Sequence, residues 1–312
     1  MAGTLLLSAV MIAGPLRARA ERCLSRLLAQ TLLNQMEVVV VDLSPGGPPL
    51  AGVDHPAVRY FRRPDLVYYS TAQAECARQA GAEIIAFIED HCYPAPGWAA
   101  AVVEAFRQPS VSVVSYAFVN YNPDRYLSRA FFITEYGRWM TPASRGPVPI
   151  PTCNNVAYRR RDLEPFFPQL DELFEAEFVL QRRILTGGGL AWIEPAAEVA
   201  HECWWSLADG LRANAAMKRV NAARRAQAGH WGALRRCVFA GAMVMAPALH
   251  LWRLAVALRT RPSGWAAFLV SLPVSLAVYV TSSWQEALGY LRGPGGSRGD
   301  FKTTELSANR TR

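Results

Sequence analysis

Residues Glu37–Leu43 read Glu-Val-Val-Val-Val-Asp-Leu, and no other segment constrains the chain as much. Four consecutive β-branched residues favour an extended backbone. A strand that is apolar on both sides must be covered on both faces, the situation of a largely parallel sheet packed between helices. Leu5–Ile12 and Glu83–Ile88 repeat the pattern, with shorter strands expected at Val58–Phe61 and Ser110–Ala117. Between them, Arg19–Thr31 and Ser70–Ala80 have helical spacing; Cys23, Leu24, Leu27 and Leu28 share one face of the first. A further helix opens at Pro96-Gly97-Trp98 and runs to Phe106. This alternation predicts an α/β fold with a mostly parallel sheet. Thr4–Ala13 is apolar, but no basic residues precede it, so it reads as the first core strand rather than a signal peptide.

Two of these strands end in acids: one at Asp42, the other at Glu89-Asp90-His91. In open α/β sheets ligands bind outside the carboxyl ends of the strands. Two carboxylates and an imidazole at one strand end cost stability unless a cation joins them. Mg2+ or Mn2+ would do so, using one or two carboxylates and leaving positions for phosphate oxygens. The plainer account, a carboxylate that caps the next loop, suits a lone acid better than Phe-Ile-Glu-Asp-His followed by Pro-Ala-Pro-Gly-Trp.

Those residues, with Gln30-Thr31 and Val38–Asp42, resemble family-two glycosyltransferases of the GT-A fold. The similarity continues through Asn155-Val-Ala-Tyr-Arg-Arg, Glu177 and the Glu-Pro-Ala run that ends at His201, covering roughly residues 4 to 205. Asn120-x-Asn-Pro and Gly289-Tyr290 further resemble a bacterial branch with an apolar C-terminal region, often linked to polysaccharide synthesis. The resemblance implies an inverting transfer from a nucleotide sugar, UDP-sugar foremost, to a glycan or lipid-linked acceptor. It implies that Asp42, Glu89 and Asp90 bind the nucleotide and that Asn155 lies in the acceptor loop. Glu89 and His91 stand where the two aspartates of Asp-x-Asp would, so Asp90 and His91 are both candidate metal ligands. Glu177, with Glu175 as second choice, is the candidate base; the usual Glu-Asp pair is broken here by Ala176. His201 is a candidate third metal or phosphate ligand, although a lone histidine after an apolar stretch is more often structural. Two rivals stand beside this reading. A nucleotidyltransferase would need a Gly-rich basic loop, of which Gly14-Pro15-Leu16-Arg17 is a poor version. A degenerate glycosyltransferase-like scaffold of a synthase complex is compatible with Glu-Asp-His and Glu-Ala-Glu.

The net charge of +8 is local: from Arg212 to Arg261 there are ten basic residues and no acidic one. They flank apolar runs, which favours an anionic membrane as partner and argues against nucleic acid. Pro262–Gln285 is uncharged and long enough to span a bilayer, whereas Val238–Trp252 is short. If both spanned, the basic loop between them would lie opposite a cytoplasmic catalytic domain, against the positive-inside tendency. A re-entrant hairpin or an interfacial first helix avoids that. The six cysteines show no Cys-x-x-Cys pair and no zinc-ligand spacing; they read as reduced, several of them as small core residues.

The expected organisation is a GT-A catalytic domain (1–205), a basic amphipathic helical connector (206–236), a membrane-associated helical hairpin (237–292) and a disordered tail (293–312), at the cell membrane with the catalytic domain cytoplasmic. Asn120–Pro151 reads as aperiodic loops, Leu173–Leu185 as one helix, Leu190–Ile193 as a strand and Ser206–His230 as a basic helix.

Overall fold

A computed structural model of the protein describes residues 4–307, which divide into two compact units. The first runs up to Val119 and resumes over Thr141–His201; the second is Asn120–Met140 with Glu202 onward.

The first unit is built on one sheet. Its strands are β1 (Leu7–Ala13), β2 (Met36–Asp42), β3 (Val58–Arg62), β4 (Ile84–Glu89), β5 (Cys92–Pro94), β6 (Val111–Asn120), β7 (Gly146–Pro147), β8 (Val156–Arg159) and β9 (Leu190–His201). Their order is β3-β2-β1-β4-β8-β6-β9-β5, with β7 paired to β9. The half β3-β2-β1-β4 is parallel. The other half is stitched by antiparallel pairs, β4 with β8, β8 with β6, and β9 with β5 and β7. Val38 to Val41 are fully buried, each adding about 1.5–3 kcal/mol of hydrophobic stabilisation. Helices α1 (Arg17–Leu28), α2 (Tyr69–Gln79) and α3 (Trp98–Ala105) connect and flank the strands.

The segment expected as one helix, Leu173–Leu185, is broken. After the short turns α5 (Arg160–Leu163) and α6 (Leu170–Leu173), Phe174–Ala176 forms a 3-10 turn. Ala176 leaves the helical region at φ −141°, ψ 59°, so α7 starts afresh at Glu177 and runs to Thr186. The strand expected at Leu190–Ile193 continues to His201, because its second half pairs with β5.

In the second unit, part of the stretch expected to be loop is helix: α4 (Tyr126–Tyr136). Its Tyr, Gly and Pro surroundings hide a short apolar face whose Ala130 and Phe131 pack with Trp204, Ala213, Val274 and Val278. The basic segment forms α8 (Leu207–Ala228), N-capped by the Ser206 hydroxyl, which accepts from Asp209 N. Next come α9 (Ala233–Ala242) and α10 (Ala246–Leu258), bent by 56° at the break between them. Helix α11 (Gly264–Arg292) is long and apolar enough to cross a membrane. It lies alongside α8, and the approach is so close at Gly289 that a Cβ there would collide with the Arg219 carbonyl. Beneath that contact Tyr290 is fully buried with Ala222, Ala226 and Ala240. The outward face of α9–α11 is apolar: Leu234, Val238, Val244, Met245, Trp252, Trp265, Leu269, Val280 and Trp284 are exposed. The tail expected to be disordered contains a helix instead, α12 (Ser297–Ser307), which packs on α8 and buries Leu306. The rest of that expectation, residues 308–312, lies outside the described residues.

Candidate active site

Register brings the two acidic strand ends to within one residue of each other, on either side of β1. Ala13 of β1 pairs with Asp42 of β2, and Ile12 of β1 pairs with Glu89 of β4. With strands ~4.8 Å apart, β2 and β4, on either side of β1, lie about 10 Å from each other at the carboxyl edge of the sheet.

Asp42 is fully buried and held by three donors: Arg17 Nη1 at 2.7 Å, the Tyr60 hydroxyl at 2.5 Å and Ser44 N at 2.9 Å. Burial pushes its pKa up, but the hydrogen bonds from Tyr60, Ser44 and Arg17 outweigh it, so the carboxyl lies below its ordinary value and is ionised. Arg17 follows β1 directly, in the segment that reads as a poor phosphate loop. No spacing in the sequence relates it to Asp42 or Tyr60.

At the end of β4, Asn155 grips Glu89 twice. Its Oδ1 accepts from Glu89 N at 2.9 Å, and its Nδ2 donates to Glu89 Oε2. This works because β8 runs antiparallel to β4, which brings the residue before β8 beside the end of β4. Asp90 Oδ1 lies 3.0 Å from Arg19 Nη2 and 3.1 Å from His91 Nδ1. With Nδ1 turned to Asp90, the other imidazole nitrogen, Nε2, lies 3.5 Å from Glu89 Oε2. His201 Nε2, from the end of β9, lies 3.6 Å from the same oxygen.

Glu89, His91, Cys92 and His201 form a buried group whose ligand atoms lie within 4.8 Å of one another. A carboxylate, two imidazoles and a thiol converging on one point fit a divalent metal. The expected ligands His91 and His201 belong to this group; Asp90 does not, its carboxylate being turned to Arg19 and to the back of His91. A carboxylate behind a ligating histidine fixes the ring's tautomer and orientation. Cys92, which the sequence gives no reason to single out, does belong.

The two glutamates of Glu-Ala-Glu have different surroundings. Glu177 is buried; its Oε1 accepts from the Tyr158 hydroxyl and its Oε2 from Asn154 N, both at 2.6 Å. Asn154 makes the second bond from a left-handed backbone, φ 63°, which asparagine tolerates. Burial drives the Glu177 pKa from 4.5 to about 7, against the two hydrogen bonds and with help from the charge of Glu89. Glu175 Oε1 accepts from the Ser70 hydroxyl at 3.4 Å.

Residues 16–167 match the family model described as "Glycosyl transferase family 2". This region belongs to glycosyl transferase family 2. The match includes Asp42, the Glu89-Asp90-His91 triplet and Asn155; Glu177 and His201 lie beyond it. Among curated proteins no sequence matches. Among solved structures, the chain resembles a mannosyltransferase from Pyrobaculum calidifontis in complex with GDP-Man and Mn2+, at 18% identity and a TM-score of 0.55, over 91% of this chain and 86% of that one. It is also similar to residues 1–349 of TarS from S. aureus, at 13% identity and a TM-score of 0.49, covering 88% of this chain and 90% of that one. A GalNAc-T7 structure with UDP, GalNAc and Mn2+ is 16% identical, with a TM-score of 0.46, 64% of this chain and 43% of that one. The first of these likenesses shows the GT-A fold, and the family-two match supports residues 16–167 as part of a glycosyltransferase.

Proposed function

We propose that the protein is an inverting, metal-assisted glycosyltransferase that moves a sugar from a nucleotide sugar to a glycan or lipid-linked acceptor at a membrane surface, in polysaccharide synthesis. The observation that carries this is the carboxyl edge of the sheet, where an ionised Asp42 ends β2 and a buried metal-donor group gathers at the end of β4, in a chain whose residues 16–167 match family two. The similar mannosyltransferase was solved with GDP-Man and Mn2+, which supports a nucleotide sugar as donor and a divalent ion as cofactor.

In this reading Asp42, oriented by Arg17 and Tyr60, receives the nucleoside end of the donor. Glu89, His91 and His201 would hold the ion, with Asp90 and Arg19 keeping His91 in place. The metal, when bound, supplies positive charge against that of the departing diphosphate. Asn155 holds Glu89 at the strand end, next to the loop where the acceptor enters. Glu177 takes the proton of the attacking hydroxyl. A carboxylate with a pKa near 7 suits that task, because at neutral pH about half of it is ionised and that form is still basic. A single displacement inverts the anomeric centre and needs no covalent sugar on the protein.

The exposed apolar face of α9–α11 and the acid-free basic stretch support attachment to an anionic bilayer, with the catalytic unit cytoplasmic. The favoured mode is insertion into one leaflet. Helix α8 carries Lys218, Arg219, Arg224 and Arg225 and lies alongside α11, with Arg225 paired to Glu286 at 3.0 Å. A spanning α11 would carry these charges toward the hydrocarbon at about 2.5–3.5 kcal/mol each.

The test is binding of UDP, GDP and their sugars by calorimetry, with and without Mn2+. Metal-dependent binding that Asp42→Ala abolishes is expected. No metal-dependent nucleotide binding, or binding indifferent to Asp42→Ala, would leave a scaffold role instead.

A further inference from the structure

We propose that Glu89, His91, Cys92 and His201 form a four-donor site for a thiophilic divalent ion of the zinc class, in which the Cys92 thiolate is a ligand. This identifies the ion preferred by the site and does not depend on sugar transfer.

The topology puts the thiol there. In the antiparallel pair of β5 and β9, Cys92 is directly opposite His201. Directly opposed residues project to the same side of a sheet, so thiol and imidazole are neighbours by register rather than by chance. Glu89, three residues before Cys92, completes the approach: Cys92 Sγ lies 3.8 Å from Glu89 Oε2.

The spacings then discriminate between ions. Ligands at about 2.0–2.3 Å around a tetrahedral centre are separated by roughly 3.3–3.8 Å. Around an octahedral Mg2+, neighbouring ligands are about 2.9 Å apart. The separations from Glu89 Oε2 to His91 Nε2, His201 Nε2 and Cys92 Sγ are 3.5, 3.6 and 3.8 Å, in the tetrahedral range, and all four donor atoms lie within 4.8 Å of one another. Composition points the same way. Mg2+ takes oxygen ligands and keeps much of its water, and this group offers one carboxylate among nitrogen and sulfur donors at 0–4% exposure. On binding, the thiol proton leaves to solvent and sulfur donates a lone pair to the ion.

Cobalt is a spectroscopic stand-in for zinc. Titration of the chelator-treated, reduced full chain with Co2+ should give a thiolate-to-cobalt charge-transfer band together with tetrahedral visible absorption. One equivalent of Zn2+ should abolish both, and a large excess of Mg2+ should leave them. Cys92→Ser should lose the charge-transfer band, whereas Cys23→Ala, a buried thiol outside the group, should keep it. A cobalt complex without the band, a band that survives Cys92→Ser, displacement by Mg2+, or no cobalt binding would each overturn the proposal. If Cys92→Ser fails to fold, zinc-edge X-ray absorption on the unmodified protein decides: one sulfur at about 2.3 Å supports it, and a shell of only nitrogen and oxygen refutes it.

Discussion

At the scale of single residues, two carboxylates carry the account in opposite protonation regimes. Asp42 is kept ionised by Tyr60, Ser44 and Arg17. Replacing it by Asn keeps the shape and removes the charge, and hydrogen bonds to a charged group are worth about 1.5–3 kcal/mol. Nucleotide affinity should fall by roughly tenfold to a hundredfold in a calorimetric titration. Glu177 is the reverse case, held protonated well into the neutral range by burial. Below pH 4.5 the folded and unfolded chains both carry this proton. Between 4.5 and about 7 only the folded chain keeps it, so this group's contribution to stability declines as pH rises, by on the order of 3 kcal/mol in total. Glu177→Gln should flatten that decline in urea denaturation run across this pH range. It should also lower kcat by about a hundredfold to ten-thousandfold and remove the rise in activity through pH 7. Glu175→Gln should keep both.

At the scale of elements, the packing of α8 on α11 depends on Gly289. A Cβ at that position meets the Arg219 carbonyl and the Ala222 side chain, and neither can swing away. Gly289→Val should therefore destabilise the second unit by about 1–3 kcal/mol, read as a lowered Tm in the purified chain, while a surface change such as Arg212→Lys leaves it unchanged. The elements that sequence makes legible are those whose pattern is complete within one segment. The valine run of β2 and the acids at the ends of β2 and β4 are of this kind. Elements completed by a distant partner are not legible: α4 shows its apolar face only against α8 and α11, and the second half of β9 is a strand only because β5 lies beside it. The site divides in the same way. Asp42, Glu89 and Asn155 announce themselves in local motifs, whereas Cys92 needs His201 from another strand, and Arg17 and Tyr60 become Asp42's partners only once β1, β2 and β3 are assembled. The broken helix before Glu177 turns on the backbone of Ala176, which no periodicity records.

At the scale of the whole molecule, the chain joins a family-two catalytic region to a helical region with an outward apolar face. Ten basic residues without an acidic one would make the proposed attachment electrostatic as well as hydrophobic. Flotation with vesicles should show strong binding to phosphatidylserine-rich membranes and weak binding to phosphatidylcholine alone, with partial loss as salt is raised. Protease protection should report no segment of α11 exposed on the far side of the bilayer.

The central claim, metal-assisted transfer from a nucleotide sugar, is tested most directly by turnover. The purified chain, loaded with Mn2+ or Zn2+ on membranes, is given a panel of UDP- and GDP-sugars, and released nucleoside diphosphate is measured. The account predicts release from one donor that requires the ion and is lost in Asp42→Ala and Glu177→Gln. Release that persists in both variants, or none from any donor with the ion bound, would contradict it.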